Sequence, residues 1–420
     1  MSRPSLDANA WRVIIARLIS RTGGEAGFFV GVWGTAAYAL DATPGSLALL
    51  MAAMSVASMI GAAVAGVLVD RFDPRRVLIA SEVVFVPAIL TLTTVGSMAE
   101  MTVRAPLVWL VGSIGVTAIT AFPPALAADE DRVARTNTLM EAAGTIAFVL
   151  GPALGALTVR LVDLPAVFVL DAATSVVAVL LLVPVRVRRV EARERGTGLA
   201  ELRAGFRYAY RSRAIVLILA LGSLTWLSFG AFGALEPLFY RDVLGTGPEA
   251  LGYLNSVFGV GLFLGAFTLD RNALRATNLR TVVVLTAACG IGALIYVGTS
   301  SLVVVAVGAV VWGVLLGALM PLLRTLLHLH TGEGYVGRVS GVYLVHKSVG
   351  ELAPLAVAPA LAALFGVQRV LLASGVLLLV LAPTAWRRAS RLDGERPVRP
   401  LADRGLAERV EDLEERVPLA

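Results

Sequence analysis

The sequence predicts an all-α membrane protein of twelve transmembrane helices in two pseudo-symmetric six-helix bundles, and three observations carry that expectation. Of 420 residues, 57% are hydrophobic and 16% charged, with a mean hydropathy of +0.80, whereas soluble domains sit nearer half apolar and a quarter charged. Apolar runs of about 20 residues, the length that crosses ~30 Å of hydrocarbon, recur from end to end. A polar, arginine-rich stretch at 186–212 divides these runs six and six.

In order, the spans read 13–40, 45–69, 77–95, 104–127, 137–159, 164–185, 213–239, 249–269, 280–298, 301–324, 339–365 and 368–386. The chain therefore divides into a first bundle (1–185), a linker (186–212), a second bundle (213–386) and a tail (387–420). Gly and Pro punctuate the spans, as membrane helices tolerate. The N-terminus is polar and leads straight into the first span, with no signal for cleavage. Cys289 is the single cysteine and lies in an apolar run, so it reads as a packing residue.

All but one of the 36 basic residues are arginine, the exception being Lys347. With twelve spans, 29 arginines fall on the side of the two termini and four (Arg104, Arg160, Arg241, Arg369) on the other. The positive-inside rule then places both termini in the cytoplasm. The net charge of +6 is topological, and no nucleic-acid partner is expected. Within the linker, Leu199, Leu202, Phe206, Ala209 and Tyr210 recur at helical spacing between arginines, which suggests a helix lying on the membrane face. The tail segment 401–416 is weakly amphipathic and reads as a solvated helix.

The halves echo each other. Asp70-Arg71 closes the second span and Asp270-Arg271 the eighth; Arg135 precedes Gly151-Pro152 by 16 residues, and Arg338 precedes Pro354 by the same interval. Weak internal repeats in a twelve-span chain point to two bundles rocking about a central site.

GVLVDRFDPRRVL (66–78) resembles the signature loop after the second span of the major facilitator superfamily, with Gly66, Asp70, Arg71, Arg75, Arg76 and Leu78 in place. Gly66 is expected to let helices approach closely, Asp70 to sit at a neighbouring helix N-terminus, and the arginines to pair with carboxylates and lipid phosphates. The resemblance implies that this cluster latches the cytoplasmic side in the outward-facing state. GTIAFVLGPALGA (144–156) is similar to the fifth-span packing motif of efflux members, with Gly144, Gly151, Pro152 and Gly155 matching and Ala156 replacing the last glycine. Together with RVSGVY at 338–343, these motifs resemble most the bacterial subgroup that exports siderophores, macrolides and mixed drugs. The major facilitator fold, a small-molecule substrate, proton coupling and a monomer in the bilayer are what that resemblance implies. Two departures stand out. The fourth span has no arginine within it, and the second-half loop LDRNALRATNLR (269–280) is degenerate.

An ionisable group at mid-bilayer costs roughly 2.5–3.5 kcal/mol on insertion scales and needs a partner, a cavity or a proton. Glu25 shares a face of the first span with Arg17 and Arg21 and matches an acidic position of the subgroup; it is a candidate for coupling, against the alternative of an ion pair with Arg21. HKSVGELAP (346–354) places His346, Lys347 and Glu351 in the eleventh span. Lys347 and Glu351 are one turn apart, so they can pair, and the trio is expected to face the central cavity. There Glu351 would take a proton or a cationic part of the substrate, with Lys347 as alternating counter-charge. Glu236, before Pro237, is expected to line an outer vestibule; Asp171 and Glu141 read as structural. Trp33, Trp226, Phe229, Phe232 and Trp312 are candidate walls for an amphiphile. His328 and His330 have no cysteine or aspartate grouped with them, so no metal site is expected. No Gly-rich phosphate loop and no enzyme constellation appears, so no cofactor is expected. The expected function is export of a small amphiphilic compound by proton antiport with alternating access, against a dedicated siderophore or single-metabolite exporter or an uncoupled facilitator.

Overall fold

In the computed structural model, residues 6–126, 129–187 and 198–394 are described. The first span is α1 (Ala8–Ala26), continued by two π-helical segments, Gly27–Val32 and Thr35–Ala39. Then follow α2 (Pro44–Arg71), α3 (Pro74–Leu90), α4 (Met98–Ile119), the short α5 (Phe122–Leu126), α6 (Glu130–Leu161) and α7 (Ala166–Leu182). The linker helix is α8 (Gly198–Ala209). The second half comprises α9 (Arg213–Leu238), with a π-helical end at Phe239–Leu244, then α10 (Glu249–Ala276), α11 (Leu279–Val297), α12 (Leu302–Leu329), α13 (Val336–Phe365), α14 (Val367–Thr384) and the short α15 (Trp386–Leu392).

Among the described residues ten helices are long and apolar enough to cross a membrane; α7 is shorter, at 17 residues, and the first span is divided between α and π geometry. That accounts for the twelve expected segments. Along the spans Val103, Leu180 and Phe263 are each more than half exposed, an apolar surface of the kind that lipid covers. Helix starts are chemically marked. Thr43 and Ser46 form a capping box ahead of Pro44, and Asp73, Ser97 and Asn278 accept from the first turns of α3, α4 and α11.

The two halves use the same packing scheme. In the first, α2 packs on α4, α1 on α6 and α7, and α3 on α4 and α7; in the second, α10 packs on α12, α9 on α13 and α14, and α11 on α12 and α14. Between the halves, α6 lies along α10 and α2 along α13, an exchange expected of a pseudo-twofold. Small residues set these approaches. A side chain at Gly252 of α10 would collide with the Pro152 carbonyl of α6 and lie 2.6 Å from Cβ of Ala156. Ala156, the departure from the fifth-span motif, therefore fits because its opposite number is glycine.

Two expectations are extended. The span 368–386 is not followed directly by a tail: α15 turns back, and Asp393 accepts from the backbone N–H groups of Leu279 (2.7 Å) and Arg280 (3.1 Å), capping α11. The linker helix is held by protein as well as by any membrane face, because Gly205 lies against the backbone of Arg338 on α13 and Tyr208 stacks on Tyr335 with centroids 4.3 Å apart. The side chains of Leu199, Asp270 and Arg271 and the segment 401–416 lie outside the described residues.

Gly252→Val forces α10 off the Pro152 carbonyl, and we expect a loss of about 1–3 kcal/mol. Gly233→Val, at a glycine with open space beyond it, serves as control. Thermal unfolding in detergent reads both, and equal melting temperatures would refute the seam.

Candidate functional site

A cavity of about 290 Å³ lies between the two bundles, at the small end of ligand-sized sites. Its walls come from Phe28 in the first π segment, from Met51, Met54, Ser55, Ser58 and Met59 of α2, from Trp109 of α4, and from Ser348, Glu351 and Leu352 of α13. The α2 positions recur at three- and four-residue spacing, one face of a helix. That stripe is visible in the sequence, but methionine at helical spacing reads as packing, and the sequence-based expectation omitted it. The cavity's aromatic walls are Phe28 and Trp109. Trp33 is buried with its Nε1 donating to Met51 Sδ (3.4 Å), and Phe232 and Trp312 are buried in the second bundle, so these three do not wall it.

Glu351 is among the residues that line this cavity. Lys347 Nζ donates to Glu351 Oε1 at 2.7 Å, with both side chains about one-third exposed. The same ammonium stands 4.4 Å from the ring centroid of Trp226, so Lys347 has two partners at once. Gly230 lets this turn of α13 press onto α9: a side chain there would meet the Glu351 backbone, its Cα at 2.9 Å. His346 does not join them. Its ring, rotated about 100° around the helix, contacts the linker helix instead. Nδ1 meets the Val342 carbonyl at 2.9 Å and so carries the proton, leaving Nε2 to accept from the Tyr210 hydroxyl at 3.0 Å.

Glu25 is 5% exposed, and Arg21 Nη2 lies 2.6 Å from its Oε1. Arg17 turns to α6, where Nε donates to the Met140 carbonyl (3.0 Å). Glu236 does not line an outer vestibule. It is buried between α9 and α11, where Tyr240 donates to Oε1 at 2.9 Å and Tyr296 donates to the same oxygen. Position before a proline near a helix end suggested exposure; the tyrosine that covers it is 60 residues away in the chain.

In the signature loop, a Cβ on Gly66 would meet nothing within 4 Å, so no close approach depends on it in this conformation. Asp73 caps the start of α3 (2.8 Å to Arg75 N–H). Arg75 donates not to a carboxylate but to the carbonyls of Leu182 (3.2 Å) and Val183 at the end of α7, where a cation suits the helix dipole. Arg71 and Arg76 are exposed. In the fifth-span motif, a Cβ on Gly151 would stand 2.6 Å from both Glu25 Cβ and the Thr22 carbonyl oxygen, and one on Gly155 2.9 Å from Val30, so both glycines seat α6 on α1. Gly144 is looser, with Arg17 Nη2 at 3.8 Å from the corresponding point. At the end away from most arginines, Arg241 joins the halves: it donates to the Ala37 carbonyl at 2.5 Å and lies 3.9 Å from Asp41.

Two related bundles around a charged cavity, with broken helices beside it, define a secondary transporter. Residues 13–354 match the Major Facilitator Superfamily, and the chain belongs to that family, one of transporters rather than enzymes. Macrolide efflux protein A of Enterococcus faecalis and that of Streptococcus pyogenes are each 24% identical over 212 residues, 49% of this chain. The match spans 65% of the first relative's length and 52% of the second's. Among solved structures, a nucleoside transporter superposes with a TM-score of 0.74 at 14% identity, covering 91% of this chain and 99% of its own. A bacterial homologue of the human lysosomal transporter Spinster, inward-facing and unoccupied, gives 0.69 at 13% identity, covering 94% and 100%. These two show the shared fold.

Tyr240 and Tyr296 also bond each other, so Glu236→Leu leaves one buried tyrosine hydroxyl without an acceptor, a cost of about 1–3 kcal/mol. Glu236→Gln keeps an oxygen in place. We expect the leucine variant to melt several degrees lower and the glutamine variant near wild type; the same loss in both would mean the charge, not the acceptor, matters.

Proposed function

We propose that the protein exports a small, lipophilic, cationic compound across a bacterial cell membrane by proton antiport, with the arginine-rich face in the cytoplasm. The observation that carries this reading is the cavity itself. Three methionines, Phe28 and Trp109 offer soft apolar walls, and Glu351 is the carboxylate among the residues that line it. Methionine adapts to ligands of varied shape, which fits a chain distantly similar to macrolide efflux proteins.

Lys347 makes the charge balance switchable. In the empty cavity it neutralises Glu351. When a substrate cation reaches Glu351, Lys347 retains the Trp226 face as a second seat. Substrate binding then exchanges one counter-charge for another and strands no charge in the membrane. With the stated orientation, Arg241 closes the outer ends of the bundles, and the cluster Gly66, Asp70, Arg71, Arg75 and Arg76 works at the cytoplasmic face. The alternating partner of Arg75 is a carboxylate on another helix, reached when it leaves α7.

The test is accumulation in pump-deficient cells of a basic macrolide, a fluorescent lipophilic cation and a neutral amphiphile of similar size. Wild type should keep out the cations and lose that ability with an uncoupler. Glu351→Gln should weaken cation export by about tenfold or more, the scale of one lost charge-assisted contact. Equal export of cations by the glutamine variant, or of the neutral compound by wild type, would sink the reading.

A further inference from the structure

A second set of acids lies away from the cavity, where α1, α3 and α7 meet. Asp171, in α7, is 1% exposed, and neither of its oxygens has a hydrogen-bond partner. Its carboxyl group rests in a groove on α1 that exists because Gly23 and Gly27 have no side chains; a Cβ on Gly23 would stand 2.9 Å from Oδ1, and one on Gly27 would collide with Oδ2. From α3 comes Glu82, whose Oε1 accepts from Ser20 Oγ at 2.9 Å. From α1 comes Glu25, paired with Arg21. Ser175, one turn after Asp171 and also 1% exposed, turns its hydroxyl to Glu82.

The charge count does not close. The charges facing Asp171 are Glu82 and Glu25, both negative, and the nearby cation, Arg21, is committed to Glu25. Arg17, the next cation along α1, is engaged with α6. A carboxylate sealed from water with no donor and two like charges near it needs a cation. Among the described residues no group of three metal-binding side chains is close enough to hold a metal ion. The cation that fits a space already filled by packing is a proton.

We propose that Asp171, with Glu82 and Ser175 beside it, binds the driving proton at a site inside the first bundle, separate from the cavity carboxylate Glu351. This rests on the antiport reading above. A lever is built in. Glu25 abuts Gly151 of α6, and the next residue, Pro152, bears on Gly252 of the other bundle. Release of the proton leaves Asp171 repelling Glu82 and Glu25, which loosens α7 and α3 from the α1 groove and shifts α1 against α6, the helix that carries the inter-bundle seam.

The experiment has two arms, both on the full chain. Infrared spectroscopy of purified protein in lipid, without substrate, should show a protonated carboxyl stretch that moves in D₂O. It should be missing from Asp171→Asn, which fills the same groove, and present in Glu351→Gln. In proteoliposomes loaded with ethidium, Asp171→Asn should exchange dye across the membrane at near the wild-type rate but fail to concentrate it against a pH gradient. If Asp171→Asn does not fold, Glu82→Gln is read in its place and should lower the pH at which the band disappears. An unchanged band in the variant, full pH-driven concentration by Asp171→Asn, or drive by a sodium gradient overturns the proposal. Absence of ethidium transport by wild type would count against the exporter reading alone, since the infrared arm stands without it.

Discussion

The structure depends on how closely α6 can approach two helices at once. Hydrocarbon gives apolar helices no reason to leave lipid for each other, so association rests on contact between small residues. On one side, Gly151 and Gly155 admit α1 to within van der Waals contact; on the other, the Pro152 carbonyl and Ala156 meet Gly252 of α10. The first contact is inside a bundle and the second between bundles. Proline at this point lacks the N–H that would tie it to the preceding turn, so the helix is least rigid where it must transmit movement.

Within this frame each buried acid meets the membrane's penalty in its own way. Glu351 uses Lys347 on its own helix, a local pair that can open without moving backbone. Glu236 uses two tyrosine hydroxyls from the second bundle, an arrangement fixed by packing and suited to holding α9 against α11. Glu25 uses a half-exposed arginine, and Asp171 has no protein donor. The series runs from a switchable partner to a missing one, and the ends of the series are the groups with something left to bind.

Much of this was legible in the sequence, and the limits follow a rule. Span length, arginine bias and the fifth-span glycines act over a few residues or over the whole chain, so the fold and the Lys347–Glu351 pair could be read directly. His346 was misplaced because the face of α13 it occupies is covered by α8, whose Tyr210 lies 136 residues earlier. Glu236 was misplaced because its cover is Tyr296 of α11. Met51, Met54 and Met59 carried a periodic signal, but a buried face and a cavity face have the same period. The π-helical ends of the first span and of α9 left no sequence mark, since the extra residue per turn comes from what packs beside them.

Separating the proton from the substrate changes what coupling requires. Were both to compete for Glu351, coupling would need only that one cation displaces the other before the bundles rock. With the proton on α7 and the substrate on α13, neither ligand touches the other's site, and each can influence the other through a conformational equilibrium that both bias. Couplings of this kind are typically about 1–3 kcal/mol, within reach of one added repulsion inside a packed bundle. The route is short: α7 holds the groove of α1, α1 seats Gly151, and Pro152 meets Gly252. Beyond Asp171 itself each contact is made at backbone or Cβ, with no long side chain to absorb the shift, so a displacement beside Asp171 reaches α10.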